Sequence, residues 1–168
     1  MDIRKIVIAT MTAVLFASAA PASAANSTTG RGKVLLLIPL TLTKVDDLSF
    51  GTIVPSPVAG TVTINAKTGA RTSAGGVTLV PSDVGQRGLF AWAATPGQPV
   101  DFDITYPATL DDGAGHSVQV AVLYLQNSST ITDGAGVAQT GVGGSILISA
   151  NQTAGTYTNT FEVTANYN

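Results

Sequence analysis

Apolar and polar residues alternate along much of the chain, most clearly at its C-terminal end. From Gly155 onward, Tyr157, Phe161, Val163, Ala165 and Tyr167 fall on one side of a period-two pattern, and Thr156, Thr158, Thr160, Glu162, Thr164 and Asn166 on the other. Successive side chains of a strand point to opposite faces, so Gly155–Tyr167 is predicted to be a terminal strand with an apolar face, interrupted only by Asn159. The same rhythm recurs upstream in short β-branched segments separated by Gly, Pro, Asn and Asp clusters. Strands are predicted at Leu40–Val45, Ser49–Ile53, Gly60–Asn65, Gly76–Val80, Arg87–Ala93, Val100–Thr105, Val118–Gln126 and Val142–Ala150 as well. No segment shows a helical period. Short strands at close spacing indicate an all-β chain folded as an antiparallel sandwich or barrel.

The intervening residues suit turns. Lys67-Thr68-Gly69, Pro96-Gly97, Asp111-Asp112-Gly113 and Asp133-Gly134 place glycine where a positive φ is cheap and proline where φ is preset. Gly75-Gly76 and Gly143-Gly144, at or just before predicted strand starts, suit a bulge or a close approach of two backbones. Asp112-Gly113-Ala114-Gly115 and Asp133-Gly134-Ala135-Gly136 read as two similar loops rather than a repeat.

The N-terminal third changes the picture. Arg4 and Lys5 precede an apolar stretch from Ile6 to Ala20, and Ala22-Ser23-Ala24 offers small residues for cleavage, the pattern of a secretory signal peptide over residues 1–24. Cleavage after Ala25 is a near-equal alternative. Neither this stretch nor Val34–Ile38 reaches the ~20 apolar residues needed to span a bilayer as a helix, so the mature chain is expected to be exported and to have no membrane helix. Lys33–Thr43 is its most hydrophobic stretch: Val34, Leu36, Ile38, Leu40 and Leu42 form one uninterrupted face at period two. Pro39 removes a backbone donor, which suits an edge or a break between elements. The reading therefore divides the chain there, into an extension over 25–38 and a single β-domain over 39–168. An exposed, flat apolar strand at a terminus is an aggregation liability unless something accepts it.

Composition narrows the partners. The formal net charge is −2 and no charge block occurs, which argues against nucleic acid as a partner. Cysteine is absent, so no disulfide staples the fold, and stability must come from core burial and strand pairing.

Candidate chemistry is sparse, and no catalytic residue, metal site or cofactor is expected. His116 is the single histidine, in a loop with no second ligand or base at a recognisable spacing. No Gly-x-Ser-x-Gly elbow occurs. Asp46-Asp47 and Asp111-Asp112 lie at turns; the latter pair could offer oxygen ligands to calcium, but the spacing of a calcium loop is missing and solvated turn aspartates are the expectation. Trp92 shares a face with Phe90; an inner face makes it core, the favoured reading, and an outer one would let it stack on a sugar.

Two resemblances add to this reading. A glycine at position 155 with a tyrosine next to last resembles the C-terminal strand of bacterial chaperone-usher pilins. The run Pro39-Leu40-Thr41-Leu42-Thr43-Lys44-Val45-Asp46-Asp47-Leu48-Ser49-Phe50-Gly51-Thr52-Ile53, with Gly60-Thr61-Val62-Thr63-Ile64, Gly75-Gly76-Val77, Val142-Gly143-Gly144 and Ala154-Gly155-Thr156-Tyr157, resembles a widespread bacterial family of secreted single-domain β proteins of unassigned function. That family is similar to the major subunit of the Mat/Ecp common pilus and, more distantly, to spore-coat-U-type secreted proteins. Many pilins of the broad class carry a disulfide; this chain has none, which points away from the best-known pilus types and leaves the common-pilus-like branch. The resemblance implies an immunoglobulin-like sandwich lacking its last strand and completed by the N-terminal extension of a neighbouring copy, with a periplasmic chaperone, an outer-membrane usher and a surface or host receptor as further partners. It also implies export through the periplasm to the cell surface. On that reading the donated knobs are Val34, Leu36, Ile38 and Leu40, and the acceptor side comprises Gly155, Tyr157, Phe161, Val163, Ala165 and Tyr167. The alternative is a self-complete secreted binding module whose residues 34–43 finish its own sandwich.

Overall fold

Valine, isoleucine and threonine at alternate positions favour a pleated, half-buried backbone, and in the computed structural model they form strands throughout. In chain order these are β1 Thr41–Asp46, β2 Ile53–Val54, β3 Gly60–Ile64, β4 Arg71–Gly75, β5 Thr78–Leu79, β6 Gly88–Ala93, β7 Pro99–Thr105, β8 Thr109–Asp111, β9 Ser117–Leu125, β10 Ser129–Ile131, β11 Val137–Ile148 and β12 Glu162–Tyr167. The structure describes residues 27–168, and the predicted signal peptide lies outside them. Residues 36–168 form one compact unit; residues 27–35 lie outside it and carry no regular secondary structure. Among the described residues there is no helix, and all strand pairs are antiparallel.

The strands build an antiparallel β-sandwich. β11 is the organising strand of the larger sheet. Val142 pairs with both Gly88 and Leu125, and Gly144 with both Ile64 and Leu123. β9 therefore takes one edge of β11, while β6 and β3 follow one another along the opposite edge. The hand-over from β6 to β3 brings backbones close together. A Cβ at Gly143 would collide with the Ile64 carbonyl and the Ala66 backbone, and one at Gly144 with the Val122 carbonyl. This explains Gly143-Gly144, although the pair lies in mid-strand rather than at a strand start. β1 extends the sheet beyond β6, β4 beyond β3, and β8 pairs with β9. A smaller sheet, in the order β10-β7-β12, packs across from it.

Two apolar clusters fill the interior. Trp92, Ala94, Val100 and Phe102 form one, with Leu40, Leu42, Ala165 and Tyr167 packed against it. Trp92 meets Phe102 edge-on with ring centroids 5.4 Å apart and is only 3% exposed, so it is a core residue and presents no platform for a sugar. The other cluster comprises Val62, Val118, Val120, Leu123, Ile146 and Ile148. On one side it lies directly beneath a surface groove, and there the functional interest lies.

Several elements differ from the sequence-based expectation. β4, β8 and β10 were not anticipated, and β11 begins at Val137, five residues before the predicted Val142. Ser49–Ile53 is not a strand; it holds one bridge, Ser49 to Gln86, before β2. The terminal strand begins at Glu162 rather than Gly155. Its partner β7 ends at Thr105, opposite Glu162, and Pro107 just beyond lacks the N–H to continue a ladder.

Candidate docking groove

The inner faces of β9 and β11 alternate as their sequences require, directing Val118, Val120, Leu123, Ile146 and Ile148 inward. In a closed sandwich, strands would cover this row. Here it forms the floor of a groove of about 860 Å³, walled on one side by Leu48 to Ile53 and on the other by Tyr157 to Phe161. Phe90 and Phe161 meet edge-on, with centroids 6.1 Å apart. The volume is that of a site for a ligand or peptide segment.

The groove exists because two edges do not meet. β1 pairs only with β6, and β12 only with β7. After Asp46 the first strand leaves its sheet, following a register irregularity between Lys44 and Asp46. Among the described residues no strand bridges this wall and the one leading into β12.

Each wall is held by side chains added to short backbone bridges, Ser49 with Gln86 on one side and Asp111 with Thr158 on the other. Arg71, on β4, donates to the carbonyls of Phe50 at 3.0 Å, Thr52 at 3.2 Å and Val80 at 2.8 Å. Its guanidinium thus serves the Phe50 and Val80 carbonyls and adds to the Val80 N–H, which the Thr52 carbonyl also accepts at 3.1 Å. Gly51 adopts a φ of 67° in this wall, a left-handed conformation for which glycine has no steric penalty. The Thr52 hydroxyl donates to Asp83 at 2.7 Å. That bond, with the Gly85 backbone and the Arg71 charge, outweighs desolvation and holds the Asp83 carboxyl below its ordinary pKa.

The opposite wall is tied to β8. Asp111 and Thr158 exchange backbone hydrogen bonds at 3.1 and 3.0 Å, and Asn159 Nδ2 donates to the Thr109 carbonyl at 3.0 Å. The Tyr157 hydroxyl donates to the Thr153 carbonyl at 2.6 Å and accepts from Gln152 Nε2 at 3.0 Å. Asn159, which breaks the apolar face in sequence, therefore anchors the wall.

The predicted acceptor residues are divided by this geometry. Tyr157 and Phe161 line the groove and pack on the floor cluster. Val163, Ala165 and Tyr167 lie on the inward, half-buried face of β12, with Ala165 and Tyr167 against the Trp92 cluster. Gly155 borders the groove; a Cβ there would meet only ordinary contacts, the nearest being Asp112 at 3.5 Å. Among the predicted donor residues, Val34, Leu36 and Ile38 are 78%, 83% and 52% exposed. Leu40 packs against the chain's own Trp92 cluster, so it is part of the body. The sequence reading missed Leu48, Phe50, Phe90 and the floor residues as parts of a site; the alternation of the floor residues marks them as core, and they are buried, none more than 6% exposed, beneath Leu48, Phe50, Tyr157 and Phe161.

Asp112 and His116 form a pair that spacing did not suggest. His116 Nδ1 lies 2.7 Å from Asp112 Oδ2, while Asp112 Oδ1 accepts the backbone N–H of Ala114 at 2.8 Å and of His116 at 3.0 Å. Desolvation pushes the Asp112 pKa up, but the hydrogen bonds from the His116 ring and the two backbone amides, with the His116 charge, outweigh it and hold it below its ordinary value. The carboxylate is thus occupied in shaping its own loop. Among the described residues no group of three or more His, Cys, Asp or Glu side chains is placed to hold a metal ion.

A family model described as "Domain of unknown function (DUF4402)" matches residues 40–167. No curated protein and no solved structure matches the chain.

Proposed function

The chain belongs to the DUF4402 family, whose function is unknown; from its groove and extension we propose that it is a structural subunit of a surface fimbria, polymerising by donation of its N-terminal extension to the groove of another copy, with a role in adhesion or biofilm formation. The observation that carries the reading is the open groove of about 860 Å³ whose floor is the hydrophobic core itself. A groove over the core, between two strand edges that do not pair, suits a strand-shaped occupant with apolar side chains toward the floor. The chain supplies one in Val34–Ile38, an apolar strand pattern with exposed side chains. In β-strand addition, main-chain hydrogen bonds give affinity and alternate pockets give register. Export through a periplasm, a chaperone that shields the groove before assembly, and an outer-membrane usher belong to the same proposal, as does a surface or host receptor.

The rival reading is a monomeric secreted binding module. It draws support from Leu40 and Leu42, which complete the chain's own Trp92 cluster. Denaturing electrophoresis of protein sheared from cells, with and without boiling, separates the two. Donation predicts a ladder of SDS-resistant multimers that collapses to one band on boiling and disappears when residues 25–38 are deleted. A lone monomer band in both lanes would sink the polymer reading.

A further inference from the structure

The root of the extension is held by side chains. Ile38 lies outside any strand, yet both of its backbone polar groups are engaged. Its N–H donates to Thr95 Oγ1 at 2.8 Å, and its carbonyl accepts from the Tyr167 hydroxyl at 2.8 Å. That hydroxyl also accepts from the Thr95 N–H at 2.7 Å, so Tyr167, Thr95 and Ile38 close a ring of hydrogen bonds. The single phenolic proton goes to the Ile38 carbonyl, since Thr95 Oγ1 is at the longer distance of 3.3 Å. Pro39 adds a covalent restraint, because a residue preceding proline is confined to extended conformations.

A strand inserted beside another needs its N–H and C=O groups free for the new ladder. Those of Ile38 are already used within its own body. We infer that Tyr167 and Thr95 are positioning residues that set where the donated strand begins: the transferable segment ends at Leu37, Val34 and Leu36 are its knobs, and Ile38 stays with the donor. This inference rests on the polymer reading above. It also removes slack between copies, because the last transferable residue, Leu37, directly precedes the fixed Ile38, and successive subunits are held at a set angle. Tyr167 thereby has two duties. Its ring packs in the Trp92 cluster, and its hydroxyl directs the extension.

The test uses the mature chain and two variants, Tyr167→Phe and Thr95→Val, which remove a hydroxyl while keeping side-chain shape. The first readout is amide hydrogen exchange at a concentration where the chain is monomeric. Ile38 is expected to exchange more slowly than Leu36 and Leu37 in the unaltered protein, and roughly two- to tenfold faster in either variant, the loss of about one hydrogen bond. The amides of β11 should keep their rates, showing that the effect is local. The second readout is filament curvature by electron microscopy, where the variants should form filaments that bend over shorter lengths. An Ile38 amide as fast as Leu37 in the unaltered protein, or variant filaments as straight as the parent's, would overturn the inference. Absence of filaments from the unaltered protein would overturn the polymer reading and the donor boundary with it, while the exchange rates would still decide whether the clamp exists.

Discussion

On the proposed donation of the extension, replacing Leu36 by alanine should leave the body of the protein untouched and weaken only the joint between copies. Leu36 is 83% exposed, so the isolated body loses no buried contact and its unfolding should shift by no more than about 0.5 kcal/mol, as for ordinary surface changes. In the joint the same side chain would be buried. At about 0.8 kcal/mol per buried carbon, Leu36→Ala removes three carbons and costs about 2.4 kcal/mol, and Val34→Ala removes two and costs about 1.6 kcal/mol. Together they reach about 4 kcal/mol, or roughly a thousandfold in stability of the joint at 1.4 kcal/mol per decade. The control is Leu35→Ala, which removes the same three carbons from a residue that is 60% exposed and lies on the other face at period two. The assay is the temperature at which the SDS-resistant ladder collapses, read beside the thermal unfolding of each variant by circular dichroism. Equal weakening by Leu35→Ala and Leu36→Ala would refute the period-two insertion, and no weakening by either would refute donation through this segment.

Arg71→Met should destabilise the body by about 1–3 kcal/mol, since three carbonyls lose a charged donor, and urea unfolding should show it, with faster amide exchange across residues 49–53. Asp112 titrates below its ordinary value of 3.8; a depressed folded pKa means that its stabilisation is complete above that value and lost as pH falls through the lower folded one. Protection of the Ala114 and His116 amides should therefore hold from neutral pH down to the ordinary aspartate range and fall below it, and Asp112→Asn should abolish that transition. Gly143→Ala should prevent folding or cost several kcal/mol, because its Cβ overlaps backbone atoms, whereas Gly155→Ala should leave thermal stability unchanged within about 0.5 kcal/mol. If Gly155→Ala nevertheless reduces assembly, the glycine serves a partner rather than the fold.

Where burial alternates, the strands could be read from the sequence. β3, β6 and β9 carry a buried residue at every second position over much of their length, and their predicted bounds lie within one or two residues of the observed ones. β4 escaped because Arg71-Thr72-Ser73-Ala74-Gly75 is a polar, largely exposed edge strand with no apolar face. Ser49–Ile53 misled for the opposite reason: Phe50 and Ile53 do face the core, but the backbone makes only isolated pairings there and Arg71 ties down its carbonyls, and no local pattern announces a guanidinium arriving from β4. The groove was only half legible. Phe50 and Phe161 are each marked as inward-facing by their neighbours, but the gap between them depends on where β1 and β12 stop, which is set by Pro107, the irregularity near Lys44 and the hand-over along β11.

For the proposed polymer, the separation of groove and clamp along β12 bears on which copy a given extension would fill. The clamp holds Ile38 at the Tyr167 end of the strand, and the groove is lined from the Phe161 end. With a rise of about 3.3 Å per residue, these points are roughly 20 Å apart along the strand. The five residues from Val34 to Ile38 span at most about 17 Å when fully extended, so in cis the apolar knobs would fall short of the far end of the groove even if the chain reversed at Pro39. A second copy removes that constraint. Its groove can be brought to the knobs without reversing the chain at the clamped residue, and each subunit then uses one extension and one groove. Such a contact joins different surfaces of successive copies and builds an open filament unless its rotation happens to close a ring. A variant in which a flexible spacer is inserted between Leu37 and Ile38 tests this directly. Relieved of the length limit, the extension should reach its own groove, and multimers should give way to a heat-stable monomer; persistence of the full ladder would show that distance is not what directs the extension outward.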